Sequence, residues 1–268
     1  MRVVSSVALH VFKESVRDRV LFGLVGFAAL LIGASYLIGQ LTAGQDVKII
    51  KDLGLAAIAT YGLFIAVFIG IGLVWKEVER RSIYALLSKP VRRHEFILGK
   101  YLGLALTLLV NVAIMTVALY LVLAYLNTHF TDNARAVWPA PAADPGMLRA
   151  IGLILLELLV VTAFALFFST FSSPFLSAAL TFGLWIIGQF NADLRNFEAV
   201  VESPAAGYLA RGLSYVLPNF AAFDIKTQVV YALPVPFSQL MTTTAYGLAY
   251  IALLLTGAIA IFARRDFK

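Results

Sequence analysis

Few residues in this chain could cut or make a covalent bond, and their spacing does not bring them together. The three histidines, His10, His94 and His129, all fall outside the long apolar stretches. His129 also lies on the other side of the third stretch from His94, so the three cannot converge on one metal ion. There is no cysteine. That excludes a disulfide framework, thiolate metal ligands, a catalytic thiol and a lipidated N-terminal cysteine. No G-x-x-x-x-G-K-[ST], H-E-x-x-H or G-x-S-x-G occurs, so the chain has no P-loop, zinc-protease motif or nucleophile elbow of its own. An intramembrane enzyme would need a nucleophile and base, paired carboxylates or metal ligands at membrane depth. The apolar stretches supply a single carboxylate, Glu157.

Glu157 is therefore the one group whose position demands an explanation. An ionisable side chain in hydrocarbon costs a few kcal/mol and must face protein or water. Two readings fit it equally. Either it lines a substrate path or a subunit interface, or it is protonated or hydrogen-bonded to a neighbour such as Tyr120 and holds helices together. Asn111 poses the same question, with helix packing as its expected role. Thr107, Thr116, Gly99, Gly103, Gly183 and Gly188 read as close-packing positions rather than ligands.

The elements that must position these residues follow from composition. Of 268 residues, 61% are hydrophobic and 13% charged, against roughly 45–50% and about 25% in soluble domains. Such a chain cannot cover a water-exposed surface, so it is neither a soluble globule nor disordered. A helical span needs about 20 apolar residues, which leaves room for six spans, loops and no separate catalytic domain. The apolar stretches are 20–39, 53–75, 96–126, 147–171, 174–190 and 240–263. Only Ser172 and Ser173 separate the fourth from the fifth, which predicts a helical hairpin. The chain reads as one all-α transmembrane domain, 1–268.

Residues 1–19 place Val4, Val7, Ala8, Val11 and Phe12 on one helical face and Arg2, Ser6, Lys13, Glu14 and Arg17 on the other. This does not resemble a signal peptide. It predicts an amphipathic helix lying in the membrane interface, with a solvated cytoplasmic helix as the alternative.

The net charge of +6 would suggest nucleic acid in a soluble chain, but here its distribution sets topology. Fourteen Lys and Arg lie in the N-terminal segment, the 76–100 connection and the C-terminal tail, against seven in the other connections. The bias puts both termini and the 76–100 connection in the cytoplasm. Residues 191–239 then face outward, read as two short amphipathic helices (around Leu194–Val201 and Tyr208–Val216) and an extended segment ending at Pro234 and Pro236. No internal repeat is visible.

The connection at 76–95 carries the most information. It opens with charges, sets Ile83, Leu86 and Leu87 on one side of a short helix, and stops at Pro90. A short amphipathic helix between two spans suits docking into a groove of a cytoplasmic partner. A basic hairpin held by anionic lipid fits the same charges.

This segment resembles the pattern E-x-x-x-G-T-[IL]-x-x-L-L-x-x-P-[VI]-x-R-x-x-[FI]-[IL]-L-G-K of ABC-2 type transporter permeases, in particular the branch associated with copper-enzyme maturation. Glu77, Ile83, Leu86, Leu87, Pro90, Val91, Arg93, Phe96, Leu98, Gly99 and Lys100 fit; Arg81 stands for the glycine and Ser82 for the threonine. Phe168-Ser-Thr-Phe-Ser-Ser-Pro174, Leu217-Pro-Asn-Phe220, Phe223-Asp224 and Arg264-Arg-Asp266 are similar to the family's fourth-to-fifth turn, outer loop and tail. The resemblance thus spans essentially the whole chain.

What the resemblance implies is a six-span fold like that of type V exporters, in a bacterial cytoplasmic (inner) membrane. Two ATPase subunits would bind ATP and magnesium, with no cofactor on this chain, and a second permease copy or a related chain would complete the transporter. The helix around Glu79–Leu87 would be the coupling helix, with Glu77, Glu79, Arg81, Ser82, Ile83, Leu86, Leu87, Pro90 and Arg93 as its ATPase-coupling residues. The path would run between the second and fifth spans, which points to Tyr61, Phe64, Phe68, Phe182, Trp185 and Phe190 beside Glu157 and Asn111. Its apolar lining suits a hydrophobic or amphipathic cargo. The alternative is a scaffold that transmits force to a periplasmic partner at 191–239 and moves no solute.

Overall fold

The computed structural model describes residues 2–17, 19–40, 46–79, 92–128, 142–191, 212, 214 and 217–264. No strand occurs among these residues. In chain order the helices are α1 (Arg2–Val16), α2 (Arg19–Gln40), α3 (Asp46–Glu79), α4 (Arg93–Thr128), α5 (Met147–Ser169), α6 (Pro174–Gln189), a 3-10 turn (Phe220–Phe223), α7 (Lys226–Val230) and α8 (Phe237–Arg264). Helices α2, α3, α4, α5 and α8 are each long and apolar enough to cross a bilayer. Helix α6, the expected fifth span, is a shorter apolar helix of 16 residues, about 24 Å long against the ~30 Å of a hydrocarbon core.

Boundaries differ from the hydropathy reading chiefly at α3, which starts at Asp46 rather than 53. Lys48, Lys51 and Asp52 interrupt the apolar run there. The helix persists because Val47, Ile50 and Lys51 lie on its buried face. Helix α8 likewise begins at Phe237, a turn before the apolar stretch.

Helix α5 is the most buried span and packs against α3, α4, α6 and α8. Close approach depends on missing side chains. A Cβ on Gly62 of α3 would run into Leu158 of α5, and one on Gly103 of α4 would sit 2.7 Å from the Ala8 carbonyl of α1. Helix α1 therefore lies against the first half of α4, with Val11 buried and Lys13 and Arg17 exposed, as its amphipathic pattern requires. Gly99 and Gly188 are close-packed too. Gly183 is not: open space faces it, which corrects the packing role expected there.

The turn between α5 and α6 follows from its residues. Ser173 is the N-cap of α6, accepting from the Leu176 N–H at 3.4 Å, and Pro174 occupies the first turn, where its missing N–H costs nothing. The Ser172 hydroxyl donates to the Phe168 carbonyl at 2.8 Å.

The connection before α8 departs most from expectation. The two amphipathic helices read at 194–201 and 208–216 lie almost wholly outside the described residues. The part read as extended is a folded wedge instead. Phe220 and Phe223 are fully buried, with Phe220 against Gly188 of α6 and 6.4 Å from the Phe164 ring of α5. Phe223 meets Gly247 of α8. Non-helical backbone is tolerated at that depth because protein surrounds it. Helix α7 ends in a Schellman motif: Leu233 N–H donates to the Gln228 carbonyl (2.8 Å) and Ala232 N–H to that of Val229 (3.1 Å), with Ala232 at φ 52°.

Candidate functional site

Glu157 sits in the middle of α5 and is only 8% exposed. Burial without partners would be costly, and α6 supplies them. Trp185 Nε1 donates to Glu157 Oε1 at 2.8 Å, and Gln189 Nε2 donates to the same oxygen at 2.9 Å. Trp185 and Gln189 are four residues apart, so they share one face of α6. Tyr120 is not a partner, contrary to expectation: its hydroxyl donates to the Asp144 carbonyl at 2.8 Å. Lys226 and Asp224, which form an ion pair at 3.2 Å, are close enough to act on Glu157 electrostatically. The buried acid thus lies where α5, α6 and the wedge before α8 meet.

Next to this node runs an aromatic face. Tyr61, Phe64 and Phe68 follow one another along α3, with ring centroids 6.5 and 6.3 Å apart. Phe182 of α6 completes the face, 5.9 Å from Phe64 and 6.4 Å from Phe68. These separations are those of attractive ring pairs. Phe68 is 54% exposed, so the face is open on one side. Trp185 lies one turn beyond Phe182 on α6 and joins the aromatic face to the carboxylate.

Other expected residues lie apart. Asn111 is buried in α4, where its amide donates to the Thr107 carbonyl of its own helix at 2.7 Å. Phe190 closes α6 and is 57% exposed. Of the coupling residues, Arg81, Ser82, Ile83, Leu86, Leu87 and Pro90 lie outside the described residues, and Glu77 and Glu79 fall in the last turn of α3. Arg93 opens α4, and its Nη1 donates to the carbonyls of Phe262 (3.2 Å) and Ala263 (2.7 Å) at the end of α8. Phe96 and Phe262 stack alongside at 5.8 Å.

Gln189, Asp224 and Lys226 were missed by sequence reasoning, although Trp185 and Gln189 at helical spacing in an apolar stretch were a usable signal. Lys51 and Lys100 are also buried. The Lys100 ammonium stands 4.8 Å from the Phe96 ring centre, a cation–π contact. Among the described residues no group of three or more His, Asp or Glu side chains could hold a metal.

A helical bundle with five helices long and apolar enough to cross a bilayer among the described residues is that of a multi-pass membrane protein. Residues 5–267 match the family model described as ABC-2 family transporter protein, and the chain belongs to that family. It is accordingly a membrane permease subunit of an ABC transporter, a class that works with an ABC ATPase partner. No curated protein matches the chain closely enough to be informative.

Proposed function

We propose that this permease is half of an exporter: paired with a second copy or a related chain and with two ATPase subunits, it moves a hydrophobic or amphipathic substrate across a bacterial cytoplasmic membrane. Both termini and the 76–95 coupling region face the ATPase, which holds ATP and magnesium. ATP-driven closure of the ATPase dimer pulls the coupling helices and rocks the spans. The observation that carries this reading is the open aromatic face of Tyr61, Phe64, Phe68 and Phe182, leading through Trp185 to Glu157. An apolar cargo with a hydrogen-bonding head matches that sequence of surfaces.

The test is ATP-dependent flux of fluorescent amphiphiles in proteoliposomes holding the permease and its ATPase. Phe182→Ala and Phe68→Ala are expected to lower flux severalfold while ATPase subunits still co-purify. Leu86→Asp with Leu87→Asp is expected to abolish co-purification. Normal association of that double variant would overturn the docking role.

The wedge Phe220–Val230 favours one second reading. Packed on α5, α6 and α8, it would carry their motion to an outer partner, as a mechanical scaffold requires. ATP hydrolysis that drives no flux of any amphiphile, yet alters a partner bound at 191–239, would decide for it.

A further inference from the structure

Glu157 has a second carboxyl oxygen, and its surroundings say what can bind there. The two neutral donors of α6, Trp185 Nε1 and Gln189 Nε2, are both committed to Oε1. The sealed, unpartnered side-chain atoms among the described residues are Asn191 Oδ1, Asn219 Oδ1 and Gln228 Oε1. Glu157 Oε2 is not one of them: it accepts no hydrogen bond there and keeps accessible surface. It is an acceptor that a ligand can reach, about 15 Å along α5 from Met147 and about 18 Å from Ser169. That is the middle of a span, where an ionisable group marks a functional site by default.

Helix geometry fixes the side on which that surface lies. Successive residues of α5 turn by about 100°. Leu156 packs on Gly247 of α8 and Leu158 on Gly62 of α3, so Glu157, between them, points at α6. The α8 side of α6 is plugged: Phe220 lies against Gly188 and Phe223 against Gly247, and neither ring is exposed. The α3 side remains, where Tyr61, Phe64 and Phe68 meet Phe182. Tyr61 adjoins Gly62 and so stands at the depth of Glu157, while Phe68 is about 10 Å further along α3. An acceptor at one end and apolar rings over two helical turns make a place for a polar head with a bicyclic body.

Charge then selects the head. A carboxylate in hydrocarbon is stable only beside a positive charge. The cation acting on Glu157 among the described residues is Lys226, already paired with Asp224 at 3.2 Å. A phosphate or carboxylate head would be set against Glu157 itself. An alcohol brings a donor and no charge, and a fully methylated nitrogen brings charge and no donor. A protonated amine brings both: its N–H donates to Oε2, and its charge lies beside the Tyr61 and Trp185 rings. We propose that this face binds protonated organic amines, with the ammonium on Glu157 Oε2 and the apolar body on Phe64, Phe68 and Phe182. This rests on the exporter reading above and names the head that it leaves open.

The test titrates the full chain in zwitterionic nanodiscs, against empty nanodiscs, with four probes of one shape at neutral pH. These are 2-(2-naphthyl)ethylamine, its trimethylammonium analogue, 2-(2-naphthyl)ethanol and 2-naphthylacetate. The amine should bind saturably and about tenfold tighter than the alcohol or the trimethylammonium analogue, the worth of a charge-assisted hydrogen bond. Naphthylacetate should not displace it. Glu157→Gln should bring the amine down to the affinity of the alcohol, and Tyr61→Leu should weaken the amine more than the alcohol. The wild-type series and Tyr61→Leu decide even where Glu157→Gln fails to fold. The proposal is overturned if the alcohol or the trimethylammonium analogue binds as tightly as the amine, or if Glu157→Gln weakens amine and alcohol alike. Amine binding without ATP-driven amine flux in proteoliposomes with the ATPase would sink the exporter reading and leave the site. Flux of the alcohol with no preference for the amine in binding would do the reverse.

Discussion

Arg93 Nη1 donates to the Ala263 carbonyl at 2.7 Å, which ties the first residue of α4 to the last turn of α8. A cation at a helix C-terminus meets both the dipole and the unsatisfied carbonyls. If the coupling role proposed for the 76–95 region holds, Arg93 at the start of α4 is placed to pass a displacement on to α8 as well as to α4. Arg93→Ala should leave ATPase co-purification intact but cut flux per ATP hydrolysed, and should lower stability by about 1–2 kcal/mol. Arg93→Lys should recover the stability only in part, because an ammonium lacks the planar fork. Thermal melting together with the flux-to-ATPase ratio measures both.

Glu157→Gln keeps an oxygen acceptor for Trp185 and Gln189 and removes the ionisable group. Its melting temperature should stay near that of the wild type, while transport of cationic amphiphiles falls relative to neutral ones. Glu157→Ala leaves two half-buried donors unpaired and should cost about 1–2 kcal/mol. Equal loss of cationic and neutral flux in Glu157→Gln would reduce the residue to a helix tie. Activity untouched by Glu157→Gln would also dispose of any role as an enzymatic acid.

Gly103→Val should displace α1 from α4, since its Cβ would meet Val11 and the Ala8 backbone. The expected cost is about 1–3 kcal/mol, read as greater protease cleavage within residues 2–17. Gly183→Val, facing open space, should be close to neutral in the same assay.

Ala232 adopts φ 52° at the end of α7. A side chain there costs roughly 1 kcal/mol relative to glycine. Ala232→Gly should therefore raise stability by about that amount, as a higher melting temperature with no change in ATPase association.

Much of this fold was legible in the residues, for reasons that can be named. Apolar runs located the spans because hydrocarbon tolerates little else. Ser172, Ser173 and Pro174 announced the hairpin through their capping chemistry. The start of α3 was hidden because Lys51 is buried despite its charge, something a hydropathy window counts against a span. The wedge was hidden for a different reason. Phe220 and Phe223 stand among Pro, Asn and Asp, a composition that reads as surface loop, and only the gap left by Gly188 and Gly247 makes room for them. The site was half legible: Glu157 stood out as the lone acid in the apolar stretches, but its partners depend on the rotation of α6, which spacing alone does not fix.

The wedge also constrains how the chain is made. Phe220 and Phe223 are synthesised after α5 and α6 but before α8, and α8 forms one wall of their slot. Until ribosomal synthesis passes Phe237, those rings have no completed place to go. Helix α8 is thus the keystone of this part of the fold: a chain halted before it would carry the earlier described spans yet hold the Phe220–Val230 segment in an unfinished, aggregation-prone state.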